Sequence, residues 1–580
     1  MTDTFSPLHL RLEDDGIAVA TLEAPGRANL LDDALIAALD ELAEVLETRE
    51  EVRGLIITSA KGHFLLGREP LGLLALADAA PGLSDDALLA AIAPYGDALR
   101  RLEGTAKPIA AALTGSALGP GLELALACGY RVACDHPAAR FGFPDQRLGL
   151  MPMAGGTQRL PRLLGWVGAH DLLSGGHMVT AAAALELKLV NEVVPASHVR
   201  SAALAWVRRH LADGKEPPFI VAHKRKPVAV ISSTMAIETA VGQGLALSLD
   251  EGLGLERAVA AGLLRRGEVA ALVRTLVVAK GAADKAAWRP ALPTAELARV
   301  AVLGRGPMAD SVALAARRAG LDVHAVADAE GLDELAPALL GERKIEILFD
   351  ATREDLAAKH ALLARAEAVL GDDALLALTG PRLSVAAVGR GLSWPDRLVG
   401  LSLPPDGGVA EIVAGPKTSA PALAIAVDAA RRLGRTPFKV GDGEGRYLAR
   451  LTAAYLRAAL ELGPLVAPAD TDAAARAAGL AEGPWALARR LGYAAVTDLV
   501  GEDGAGAVLA TLKRPATESV PLDPPQADAG PRLLAAVRTA VVQALAEGLV
   551  NETASADLMA VLGFGWPAAS GGPLGSFARR

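Results

Sequence analysis

Two carboxylates stand where their surroundings could serve chemistry. In KPIAAALTGSALGPGLELALACGYRVA a strand enters the Gly-rich turn around Gly119, Pro120 and Gly121, and Glu123 lies at the start of the helix that follows. Backbone N–H groups left free at such a helix start can hold an anion or an oxyanion. Asp145 follows Pro144 in RFGFPDQRLGL, 22 residues after Glu123. Each also has a plainer role open to it. Glu123 could stabilise a helix N-terminus, worth about 0.3–1 kcal/mol, and Asp145 could be a turn former.

A second constellation is Gly304-x-Gly306-x-x-Ala309, which follows the strand RVAVL from Arg299 and opens a helix. Its glycines would let a pyrophosphate approach the helix, and Asp328, about 24 residues on, could accept a ribose hydroxyl. Cys128 and Cys134 have no second pair nearby and read as small buried hydrophobes rather than a metal site. His63 and His136 lie near the carboxylates but read as surface or packing residues.

The elements that must position these groups follow from hydrophobic pattern. Short apolar strands at Ile17–Leu22, Leu55–Thr58, Ile109–Leu113 and Leu189–Val194 alternate with helical stretches such as 32–47, which predicts an α/β domain over 1–200. Residues 201–290 read as a helical linker, the segment 217–283 showing no strand pattern. A second α/β domain, Rossmann-like, is expected over 291–440, with strands near 299–303, 322–328, 345–349, 374–379, 398–403 and 434–440. The remainder, 441–580, reads as all-helical. There Gly463, Val466, Asp472 and Pro484 recur as Gly548, Val550, Asp557 and Pro567, which predicts a duplicated helical unit.

Composition excludes several function classes. At 580 residues the chain is too long for one core and for a small binding module. Lys plus Arg number 58 against 67 Asp plus Glu, a net charge of −9 with no long run of one sign, so nucleic acid is not an expected partner. The longest uncharged stretches are shorter than about 18 residues and broken by Gly and Pro, so no transmembrane segment is expected. The acidic start lacks the pattern of a signal peptide, and two cysteines form no disulfide framework; the expected location is the cytoplasm.

The first half resembles the crotonase (enoyl-CoA hydratase/isomerase) family. Its Gly-Gly-Gly-x-Glu-Leu-Ala turn and Phe-Gly-x-Pro-Glu turn match GPGLELA and FGFPD, and GRANLL, AKGHFLLG and GGTQRLPRLLG match further motifs in the same order. The resemblance implies a ββα-spiral fold and an acyl-CoA or enoyl-CoA substrate. It implies that Glu123 and Asp145 are catalytic and hold a water that adds across the 2,3 double bond, with no cofactor. It places the thioester at Leu66 and Gly67 on one turn and at Gly119, Pro120 and Gly121 on the other, with oxyanion donors at Leu66 and Pro120. Proline has no N–H, so an ungapped alignment removes one donor. Removing such a donor costs about 10²- to 10³-fold in rate.

With the second half, the chain resembles the multifunctional β-oxidation α subunit, whose latter part is a 3-hydroxyacyl-CoA dehydrogenase. That resemblance implies NAD held by Gly304, Gly306, Ala309 and Asp328. The family's His-Phe-x-Asn-Pro-x-His segment leading to Val-Glu corresponds to GLSLPPDGGVAEIV, which keeps Glu411 but has no histidine, and none follows His360 anywhere. A hydroxyl proton then has no acceptor. The Ser-Asn-Thr-Ser segment corresponds to LTGPR at 378–382, and the Asn-Arg pair to Ala449-Arg450. Only about 17 residues separate Asp328 from the next strand, too few for the helical hairpin of the family. The dehydrogenase half is therefore expected to be degenerate and to leave NAD unused.

Two readings stay open on the residues. One is an enoyl-CoA hydratase with a single working site. The other is a pseudoenzyme, a non-catalytic subunit that scaffolds a thiolase or an acyl-CoA dehydrogenase.

Overall fold

The computed structural model describes residues 2–213, 232–338, 344–370, 374–404, 407–513 and 528–578. The part of the helical reading that falls on 214–231 lies outside them. The chain divides into two compact units, Met1–Val273 and Arg274–Ala578.

The first unit is built on a seven-stranded sheet. Its order is Thr2–Phe5, Leu8–Leu12, Ile17–Leu22, Gly54–Ser59, Ile109–Leu113, Tyr130–Cys134 and Glu192–Val194, antiparallel over the first three strands and parallel beyond. Gly54–Ser59 and Ile109–Leu113 are buried along their whole length, as expected of parallel strands covered on both faces. The expected strand from Leu189 begins only at Glu192, because Leu189 and Val190 close the turn after helix Ala181–Glu186 by donating to Ala184.

A second sheet of three very short strands does more for the site. Ala117–Leu118 pairs in parallel with Phe141–Gly142, which pairs antiparallel with Met178–Val179. Its first two strands lead directly into the turns that carry Glu123 and Asp145.

The expected linker over 201–290 is corrected. Helix Val199–Asp213 packs on the main sheet, and Ser233–Gly244 and Leu249–Leu264 pack on each other and on helices Gly156–Leu173 and Asp85–Gly104. Helix Gly267–Val273 lies against Pro70–Ala79. These segments complete the core of the first unit because each brings an apolar face, such as Ala236, Ile237, Ala240 and Val241, that only this core covers.

In the second unit the sheet order is Asp322–Val326, Arg299–Leu303, Ile347–Asp350, Leu375–Leu378, Leu398–Ser402, Val409–Ala414 and Thr436–Val440. All pairs are parallel except Leu398–Ser402 with Val409–Ala414. Alternate residues feed the two faces, Val300, Val302, Phe349 and Leu401 to one and Ala301, Leu303, Leu348 and Leu378 to the other. After Asp328 the described residues hold one helix, Ala329–Ala338, and no hairpin.

Two of the aspartates singled out in the C-terminal sequence accept from pairs of backbone N–H groups. Asp472 accepts from the N–H groups of Trp485 and Ala486, and Asp557 accepts from those of Leu574 and Ser576. Both aspartates are buried; Asp472 ties its helix to the first turn of helix Pro484–Leu491, and Asp557 ties its helix to the loop beyond it. Asp557→Ala would remove the acceptor of two half-buried donors, and the expected cost is about 1–3 kcal/mol, read as a lower midpoint in urea unfolding of the second unit.

Candidate active sites

Glu123 sits on helix Pro120–Leu126 and is 3% exposed. Its Oε1 accepts from the N–H groups of Ala154 (2.8 Å) and Gly156 (2.9 Å). The intervening N–H groups go to another carboxylate: Glu256 accepts from Gly155 (2.5 Å) and Thr157 (2.8 Å), and also from the Thr157 hydroxyl. Four consecutive amides at the start of helix Gly156–Leu173 are thus shared alternately between Glu123 and Glu256. Burial pushes Glu123 up to about 8, reinforced by the neighbouring Glu256, and burial pushes Glu256 to about 6. Nothing in the sequence pattern marks Glu256, which comes from the segment read as linker.

Asp145 lies on the 3₁₀ turn Pro144–Leu148, partly exposed. Burial raises its pKa, opposed by its own backbone N–H and by Arg68. The turns that carry the two carboxylates are joined by the short sheet, where Leu118 pairs with Gly142 and the Gly119 N–H donates to the Gly142 carbonyl at 2.9 Å. Gly119 has φ +51°, and a Cβ there would stand 2.2 Å from Asp145 Oδ2, so the second carboxylate lies directly over this turn. Gly121 is equally constrained, since a Cβ there would meet the Leu65 carbonyl oxygen at 2.1 Å.

The expected oxyanion donors are corrected. The Leu66 N–H donates to the Asn29 carbonyl at 3.1 Å. Pro120 occupies the first position of its helix, where a missing N–H is tolerated, and its carbonyl accepts from the buried Tyr95 hydroxyl at 2.6 Å. Neither position offers a free N–H. A cavity of about 240 Å³ in the same unit, between Leu102, Cys128, Arg159 and Trp206, is lined by neither carboxylate.

In the second unit a larger cavity, about 720 Å³, is lined by Pro381, Ser402, Glu411, Ala449, Thr452 and Tyr455 among others. It gathers the three segments singled out in the sequence. Ser402 and Glu411 are direct partners in the antiparallel strand pair. Glu411 is 1% exposed, accepts from the Leu448 N–H at 3.1 Å, and is pushed up to about 7 by burial. No histidine lines this cavity; His360 instead lies against Gly391, with Nε2 3.2 Å from the Ala387 carbonyl.

The dinucleotide-type turn is formed with Gly304 at φ +119° and Gly306 at φ +99°. Gly304 has no room for a side chain because the Ala351 carbonyl lies against it, whereas the space beside Gly306 is open. Ala309 is buried in helix Pro307–Arg318. Asp328 is exposed; its Oδ2 lies 3.5 Å from Arg305 Nη2 and its Oδ1 accepts from the Gly331 N–H.

Comparison with known proteins agrees with this layout. Residues 13–235 match the enoyl-CoA hydratase/isomerase family, and residues 341–443 match the 3-hydroxyacyl-CoA dehydrogenase NAD-binding domain. The fatty acid oxidation complex subunit alpha of Shewanella frigidimarina (strain NCIMB 400) is 28% identical over 525 residues, covering 80% of this chain and 72% of the relative. That of Shewanella amazonensis (strain ATCC BAA-1098 / SB2B) is 28% identical over 524 residues with the same coverage. The chain is thus similar, over most of its length, to fatty acid oxidation complex α subunits. Among solved structures, Pseudomonas aeruginosa DspI is 30% identical over 37% of this chain and 83% of its own, with a TM-score of 0.33.

The chain carries matches to both expected domains but not the expected side chains in the second. Its cavity presents Pro381, Ser402 and Ala449 on the segments where the dehydrogenase motifs carry serine, histidine and asparagine, and retains Glu411. Among the described residues no helix is long and apolar enough to cross a membrane, and no group of three or more His, Cys, Asp or Glu side chains could hold a metal ion.

Proposed function

We propose that the first unit hydrates 2-enoyl-CoA thioesters and that the second unit does not oxidise the 3-hydroxyacyl product. The observation that carries the reading is the pairing of Glu123 with Asp145 over one turn. Addition places the water hydroxyl on C3 and a proton on C2. Glu123, held near 8 by burial, keeps its proton at neutral pH and has Oε2 clear of the amides that grip Oε1, which suits it as the proton donor. Asp145, with Arg68 favouring its charged form, suits the acceptor that takes the proton of water. Neither step needs a cofactor.

In the second unit Gly304, Gly306 and Ala309 leave room for a dinucleotide, and NAD bound there would supply a hydride acceptor. The chain supplies no base for the hydroxyl proton, because Ser402 faces Glu411 where a histidine would be required. A second reading rests on these departures together with Pro120: the chain could be a non-catalytic subunit that holds a thiolase or an acyl-CoA dehydrogenase.

The test is loss of enoyl-thioester absorbance when the full chain meets crotonyl-CoA and a longer enoyl-CoA, beside a Glu123→Ala, Asp145→Ala variant. Turnover absent from the double variant is the expected result. Equal rates in the two proteins would overturn the hydratase reading in favour of the scaffold.

A further inference from the structure

Hydration builds negative charge on the thioester oxygen, and a hydratase must meet that charge with donors already in place. Neither aligned position of the first unit supplies one, since the Leu66 N–H is committed to Asn29 and Pro120 has none. One other donor stands at the same place.

Arg68 follows Gly67 directly. Its backbone is fixed by a parallel bridge to Leu31, flanked by hydrogen bonds from the Leu31 N–H to the Gly67 carbonyl and from the Glu69 N–H to the Leu31 carbonyl, both 2.8 Å. Its side chain is mostly enclosed, and Nε is buried without a hydrogen-bond partner among the described residues. The charged groups that feel the guanidinium are Glu123, Asp33 and Asp145, with the Tyr95 hydroxyl beside them. None of the three carboxylates forms an ion pair with it. An enclosed cation without a counter-ion is costly, and the cost grows once Glu123 holds its proton. Arginine does not escape by deprotonation.

We propose that Arg68 is a catalytic residue of the hydratase site, donating to the thioester oxygen of the enoyl-CoA in place of the missing main-chain donors. The enolate oxyanion then supplies the hydrogen-bond partner that the buried Nε lacks. The inference deepens the hydratase reading and rests on it.

The test uses the full chain and two probes. Dimethylaminocinnamoyl-CoA absorbs further to the red when its thioester carbonyl is hydrogen-bonded, and crotonyl-CoA reports turnover. Arg68→Met is expected to lose the red shift and about 10²- to 10³-fold in kcat, with a smaller change in KM. Arg68→Lys, which keeps the charge and guards against a variant that fails to fold, is expected to retain part of both. Adding Pro120→Gly to Arg68→Met should restore at least about tenfold of the loss, because the two donors would serve one oxygen. An undiminished red shift in Arg68→Met would overturn the assignment, and so would unchanged hydration. A wild-type chain that shifts the probe but does not hydrate crotonyl-CoA would sink the hydratase reading while leaving Arg68 as the donor. A chain that does neither would overturn both.

Discussion

Crotonyl-CoA hydration by Glu123→Gln is expected to fall by about 10²- to 10⁴-fold, the usual worth of a positioned acid or base. Glutamine can still accept from Ala154 and Gly156 through its carbonyl oxygen, so the turn should stay in place while the transferable proton is lost. The pH profile separates this from a structural effect. In the wild type, kcat/KM should fall as pH rises through about 8, where the free enzyme loses the Glu123 proton. It should also fall on the acid side, as Asp145 protonates above the ordinary carboxylate range. The glutamine variant should lack the alkaline limb. Stability moves with the same group. Its pKa in the fold is raised above the ordinary 4.5, so the fold binds its proton more tightly than the unfolded chain does. The stabilisation is therefore complete below 4.5 and is lost as pH rises through about 8. The midpoint of thermal unfolding should drop between pH 5 and 8 in the wild type and drop less in Glu123→Gln.

The second large effect is expected in the other unit. With 3-hydroxybutyryl-CoA and NAD, the wild type should form no NADH above background, and Ser402→His should raise that rate by about 10²-fold, the lower end for a general base. The lower end applies because Pro381 and Ala449 remain unlike the family pattern. The strand register already places position 402 across from Glu411, and a carboxyl pushed to about 7 by burial would gain from an imidazolium beside it. Adding Glu411→Gln to Ser402→His should remove most of the gain. A wild-type chain that reduces NAD as fast as it hydrates crotonyl-CoA would defeat the assignment of this unit.

Much of the fold was legible because apolar runs have a short period. Ile17–Leu22, Ile109–Leu113 and Arg299–Leu303 stand where the sequence pattern places them. What escaped was set by contacts distant in sequence. Strands as short as Ala117–Leu118 and Phe141–Gly142 have no readable alternation, yet their pairing is what joins Glu123 to Asp145. Glu256 lies 100 or so residues beyond its partners, on a helix whose other carboxylates, Asp250 and Glu251, are capping and surface groups. The antiparallel return from Ser402 to Glu411 was hidden behind PPDGG, so the missing histidine was visible while the residue in its place was not. Pro120 is the converse case. Its chemistry follows from its identity alone, but that Leu66 is also committed required the position of Asn29.

The sharing of four amides between Glu123 and Glu256 bears on where this protein could be cut. The match to the enoyl-CoA hydratase/isomerase family ends at 235, and a fragment trimmed there would keep both Glu123 and Asp145, the carboxylates proposed as catalytic. It would discard the helix Leu249–Leu264, and with it the acceptor for Gly155 and Thr157. Two buried amides would then compete for the proton donor itself and draw its pKa downward. The smallest piece that can be transplanted with its acid intact therefore runs to Val273, and a chimera joined at the family boundary would inherit the fold of the donor without its titration.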